Sequence, residues 1–155
     1  MRYLTIGLTF AAALCVAAPA LADGPLGVAL NLGFPSPIQM FAGGDPPDPN
    51  GRQDVTAEYL LTNLTNAPIS LKANSDCEAH TWTVTDPSGT VVDSSGPCTQ
   101  VMQPVSVDVL QGKPVDAQSL VSLHVPAYKE GTTYTIHYKA FGVEGTGDFT
   151  VTLLK

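Results

Sequence analysis

His80, His124 and His137 are the imidazoles of this chain, and imidazole is the side chain that most often holds a transition metal or moves a proton near neutral pH. A zinc or copper site needs them to converge with a third ligand, and no close His or Cys spacing enforces that. His124 and His137 stand opposite the apolar residues of two alternating runs, Val121-Leu123-Val125 and Tyr134-Ile136-Tyr138, so both are expected to face solvent. If those runs pair, the two rings could approach each other. Isolated, exposed imidazoles are the plainer expectation.

Asp48, Asn50 and Asp54 flank Gly51 with a spacing similar to that of calcium loops, which arrange oxygens around a hard cation. The bidentate Glu that closes an EF-hand is missing, which leaves an ordinary polar turn as the simpler reading. Nucleophilic catalysis finds less support still. No Gly-x-Ser-x-Gly elbow is present, the serines lie mostly in turn-forming stretches, and the carboxylates sit on separate runs that nothing pairs. The sequence therefore predicts neither an enzyme nor a resident metal or cofactor.

Met1-Arg2, an apolar stretch from Tyr3 to Val16, and the small residues of Ala17-Ala18-Pro19-Ala20-Leu21-Ala22 together form a secretory signal, with cleavage expected after Ala22. The apolar stretch is short for a membrane span and ends at a proline without basic stop-transfer residues. Cys15 follows Leu14 rather than a small residue, so it leaves with the signal instead of becoming a lipidation site. Cleavage leaves 133 of the 155 residues, enough for one domain, with six basic residues against 14 acidic ones. A net charge of −8 repels phosphate backbones and anionic membranes, so nucleic acid and membrane insertion are not expected as partners. Cys77 and Cys98 would meet an oxidising compartment, periplasmic or extracellular. With no Cys-x-x-Cys spacing they are expected to form a structural disulfide worth roughly 3 kcal/mol.

The elements that would carry these groups read as strands. Val55, Ala57, Tyr59 and Leu61 alternate with Thr56, Glu58 and Thr62, and Ile69, Leu71 and Ala73 alternate with Ser70 and Lys72. The turn residues Asn63 to Pro68 between them predict that these two strands pair. Trp82 and Val84 alternate with threonines up to Asp86-Pro87-Ser88-Gly89, a type I turn leading to Val91 and Val92. Trp82 is expected to fill the core beside the disulfide, as in antibody domains. Val28–Leu32 is a short first strand, and Gly33 to Gly51 is too broken by Pro and Gly for strand or helix. Val105-Val107-Val109, Val121-Leu123-Val125, Tyr134-Ile136-Tyr138 and Phe149-Val151-Leu153 complete the set, with Gly142, Gly145 and Gly147 in the loop before the last. Residues 23–53 thus supply an N-terminal strand and loop to a domain whose body is 54–155. The prediction is an all-β, antiparallel, immunoglobulin-like β-sandwich of about eight or nine strands, with a closed barrel as runner-up. Asn63-Leu64-Thr65 also matches an N-glycosylation acceptor.

The order Tyr59-Leu60-Leu61-Thr62-Asn63, Ile69-Ser70-Leu71, Ser75 and Trp82-Thr83-Val84-Thr85-Asp86-Pro87-Ser88-Gly89-Thr90-Val91-Val92 resembles the bacterial intracellular proteinase inhibitor domain of the BsuPI type. Thr99-Gln100, Leu110-Gln111-Gly112 and Gly131-Thr132-Thr133-Tyr134-Thr135-Ile136 follow in matching order, and the resemblance spans about two thirds of the chain. It implies a small all-β sandwich and, as activity, inhibition of subtilisin-type serine proteases. The export signal and cysteine pair depart from an intracellular family and put any partner outside the cytoplasm. Thr90 to Ser95 lack the aromatics of the family, and no reactive-site motif carries over. Physically, an inhibitory loop should be exposed, extended and tethered so that docking loses little entropy. Gly96 to Met102 is tethered if Cys98 is bridged, which makes Thr99, Gln100, Val101 and Met102 the candidate protein-binding loop; a merely connecting loop is the plainer reading. The expected function is non-catalytic protein binding in the periplasm or outside the cell, with a serine protease as the sharpest partner. The alternatives are an envelope-associated accessory domain that binds peptide or carbohydrate, favoured by an open aromatic groove, and a periplasmic metal-binding domain.

Overall fold

Alternation decides how the longest strands sit. The computed structural model describes residues 27–41, 51–99 and 102–154. The expected signal (1–22), Asp48, Asn50, Gln100 and Val101 lie outside them. In β3 (Arg52–Asn63), Val55, Ala57, Tyr59 and Leu61 are buried while Asp54, Thr56 and Glu58 are exposed, as period two requires. β3 is flanked antiparallel by β1 (Val28–Gly33) and β8 (Val115–His124). The facing sheet has the order β2 (Ile38–Phe41), β10 (Val143–Leu154), β9 (Thr133–Ala140), β5 (His80–Thr85) and β6 (Val91–Ser94). β4 (Ile69–Ala73) and β7 (Val105–Val109) form a separate ribbon.

Two sheets, one core between them and strand order 1-3-8 facing 10-9-5-6 make an all-β sandwich with the A-B-E and G-F-C-C′ layout of immunoglobulin folds. Tyr138, Phe149, Met40, Leu61, Leu123 and Ile136 are the largest fully buried side chains shared between the sheets. Tyr128, Tyr134 and Phe149 pack as an aromatic group, the first two edge to face at 5.0 Å. The Asp86–Gly89 turn forms as expected: Gly89 N–H donates to Asp86 O at 2.9 Å and Asp86 N–H to Thr90 O at 3.0 Å. Gly89 carries the positive φ that lets the hairpin close.

Several expectations are corrected. β3 and β4 do not pair. Asn63 is buried, and its Nδ2 donates to Ala67 O at 2.7 Å and Val109 O at 2.8 Å, so the chain is turned out of the first sheet and β4 is delivered to β7. The same two bonds occupy the amide that a glycan would need. Gly33 to Gly51 is not without structure, because Ile38 and Met40 bury their side chains and make β2, entered through a cis Ser36-Pro37 bond. β2 pairs with β10 in parallel, the one exception to antiparallel order among the named strand pairs. Gly145 and Gly147 belong to β10 rather than to a loop. A Cβ at Gly145 would fall on Leu30 Cδ2, so β1 can lie across β10 only where a side chain is missing. Ten strands result among the described residues, along with one turn of α-helix, α1 (Asp76–Ala79), capped by Ser75 Oγ accepting from Glu78 N, and one 3-10 turn at Val125–Ala127. Turns of three and four residues leave no sustained helical period to read.

Candidate functional site

Cys77 in α1 and Cys98 are disulfide bonded across a Cα separation of 5.6 Å, as the sequence predicts. The bridge fixes the chain that leaves β6. Ser95 prolongs the β5 ladder, its N–H donating to Trp82 O at 3.0 Å, and Gly96 to Thr99 then run exposed. Met102, at the far end of the candidate loop, is 65% exposed. Trp82 is 6% exposed and fills the core near the bridge, so it offers no open aromatic platform for a sugar.

A cleft of about 480 Å³ separates this tethered segment from β8. Ser95 to Cys98 form one wall and Ser119, Leu120 and Ser122 the other, with His80 and Trp82 at its base. Leu120 is 66% exposed, the largest exposure of any large apolar side chain described. An adjoining hollow continues past Asp76, Gln118 and Thr56.

Beneath the cleft a polar chain crosses between the sheets. His80 shares the inward parity of Trp82 and Val84, and its Nδ1 lies 2.9 Å from Tyr138 Oη. Its Nε2 is 3.7 Å from Asp76 Oδ1, and the Ser119 side chain faces the same Tyr138 phenol. With Nε2 protonated toward Asp76, Nδ1 accepts a hydrogen bond from the Tyr138 hydroxyl. Tyr138 therefore takes the ring nitrogen that a serine nucleophile would need, and the Asp-His-Ser set is not a catalytic triad. Burial pushes the Tyr138 phenol up to about 12, with Ser119 pulling the other way. Tyr59, tilted against both rings at centroid distances of 5.6 Å, is raised by burial and then by the Asp76 charge.

Burial lowers the His80 pKa from its ordinary 6.5, with the Asp76 charge opposing. The unfolded chain thus takes up the proton at a higher pH than the folded one. This contribution to stability is complete above about 6.5 and is lost as pH falls through the lowered folded value. Thermal midpoints of the protein measured from about pH 7.5 to pH 5 should fall more steeply than those of His80→Gln. Equal slopes would remove His80 from the acid response.

No family model matches the chain, and no curated protein matches it either. Solved structures do. The chain is similar over 81% of its length to 11% of a beta-glucuronidase from glycoside hydrolase family 2, at 11% identity and TM-score 0.43. It is also similar over 81% of its length to 16% of a putative beta-galactosidase from Bacteroides fragilis, at 16% identity and TM-score 0.40. A beta-glucosidase from Listeria innocua aligns over 82% of the chain and 16% of its own, at 9% identity and TM-score 0.41. The chain thus spans less than a fifth of each of these enzymes.

The remaining candidates do not assemble. His124 is on β8 and His137 on β9, strands of different sheets, so the pairing that could have joined them does not occur. No cluster of three or more metal-ligating side chains is present among the described residues. Asp54 is exposed on β3 opposite Ser122. No described helix is long and apolar enough to cross a membrane.

One group was not singled out in the sequence. The Asp93 side chain, on β6, is 6% exposed and accepts from His124 N–H at 2.7 Å and Tyr128 O–H at 3.0 Å, while Arg52 lies 3.6 Å away. Burial and the Asp93 carboxylate hold the Tyr128 phenol far above its usual range. The network latches β6 to the end of β8. Its only sequence signal is a carboxylate directly after Val91-Val92.

Proposed function

We propose that this protein is an exported, non-catalytic protein-binding domain, and that in its sharpest form it inhibits a subtilisin-type serine protease outside the cytoplasm. The observation that carries the reading is the loop after β6, exposed from Gly96 to Thr99 yet covalently held at Cys98 to α1. A segment held in place before docking loses little entropy when it binds. The predicted leader (1–22), the disulfide and the acidic composition suit a periplasmic or extracellular setting. The resemblance to BsuPI-type inhibitors supplies the partner class. Thr99 and Met102 would make the contacts, with Gln100 and Val101 between them.

The test is titration of the disulfide-bonded protein against a panel of subtilisin-like proteases, following residual activity and integrity of the domain. Stoichiometric loss of activity with the domain intact is the expected result. Undiminished activity across the panel would sink protease inhibition.

A further inference from the structure

β7 turns back at Gly112 and pairs with β4 rather than with β8, so among the described residues β8 has a strand partner on one side only. The other outer strands are four to six residues long. β6 is further disturbed by a register shift at Val84/Thr85 and is followed by Gly96-Pro97, while β2 is entered through Pro35 and Pro37. These are the usual guards against unwanted strand pairing. β8 has prolines only beyond its ends, Pro114 and Pro126, and its ten-residue length is not shortened or disturbed by them. It runs ten residues in unbroken register with β3, holds no Pro or Lys, and presents Leu120.

Its backbone direction can be assigned. His124 N–H points away from β3, to Asp93, whereas Val125 N–H returns to Gly51 O at 2.8 Å. In a regular strand the N–H and C=O of one residue point to the same side and alternate along the chain. Asp116, Gln118, Leu120 and Ser122 therefore direct their donors and acceptors out over the cleft.

We infer that the outer edge of β8 is a docking strand for an extended, neutral-to-basic peptide segment, which adds as a further strand between β8 and the disulfide-tethered loop. This deepens the protein-binding reading and rests on it. Backbone bonds to the four outward residues would provide the pairing, and the 480 Å³ cleft would take one inward side chain beside Leu120. Charge selects the occupant. The exposed acids around the edge are Asp54, Glu58, Asp116 and Asp76, β8 itself carries no Lys or Arg, and the one cation lining the cleft among the described residues, Arg52, is paired with Asp93 at 3.6 Å. A second copy of this chain, with the same acidic edge and a formal charge of −7, would meet like charge.

The probe is a fluorescein-labelled decapeptide of alternating Val and Thr with two Lys, compared with its Glu counterpart. The expected result is at least about tenfold tighter binding of the Lys peptide at low salt, with slowed amide exchange at Gln118, Leu120 and Ser122. Gln118→Pro removes an outward donor without touching the β3 ladder and should weaken binding about tenfold or more, and Leu120→Lys should do likewise. Retention of the wild-type thermal midpoint by either variant shows that it remains folded. No measurable binding of the Lys peptide, or binding indifferent to both variants, would overturn the inference. Protease inhibition that persists in both variants would leave the tethered-loop reading standing while this one fails. Peptide capture without inhibition of any protease would do the reverse.

Discussion

Asp93→Ala is expected to lower the unfolding free energy by about 3 kcal/mol. The carboxylate is almost out of water and satisfies a backbone N–H from the end of β8 and the hydroxyl of a buried tyrosine. Alanine returns nothing to either donor, so both carry the cost of desolvation unmet. Asp93→Asn keeps one acceptor oxygen and should fall between. Urea unfolding of the three proteins gives the comparison directly. A loss below about 1 kcal/mol for the alanine variant would mean that water enters and replaces the carboxylate.

The double variant Cys77→Ala/Cys98→Ala should lose roughly 3 kcal/mol, the chain-entropy value for a bridge spanning 21 residues. The same change frees the exposed loop beside the cleft. If the tethering argument is right, affinity for a protein partner falls by more than stability alone dictates, because the loop then loses entropy on docking. Binding measured well below the thermal midpoint separates the two effects. Unchanged affinity in the bridge-free protein would make the disulfide purely structural.

Much of the fold was legible because its signal is local. Period-two alternation marked the buried residues of β3, β5, β9 and the end of β10, and the turn chemistry of Asp86 to Gly89 marked one hairpin. Pairing was less legible. Asn63 reads as a turn residue, and only its position relative to Val109 reveals that it sends β4 away from β3. Ile38 and Met40 are too few to outweigh the surrounding prolines and glycines until β10 supplies the partner strand. Gly145 and Gly147 looked like loop because the reason for them, Leu30 and Leu32 of β1, is more than 100 residues away. The site was read in part. The bridge and the inward Trp82 were foreseen; the Asp93 latch and the His80–Tyr138 pair join groups distant in sequence, which no periodicity connects.

The passage from β1 to β2 has a mechanical meaning. One short strap, Val28 to Phe41, contributes a strand to each sheet, and its first half leans on β10 of the other. That lateral margin is closed like the spine of a book. The opposite margin, between β8 and β6, is held by the Asp93 latch. Thermal breathing of the two leaves should therefore pivot at the spine and be widest at the cleft.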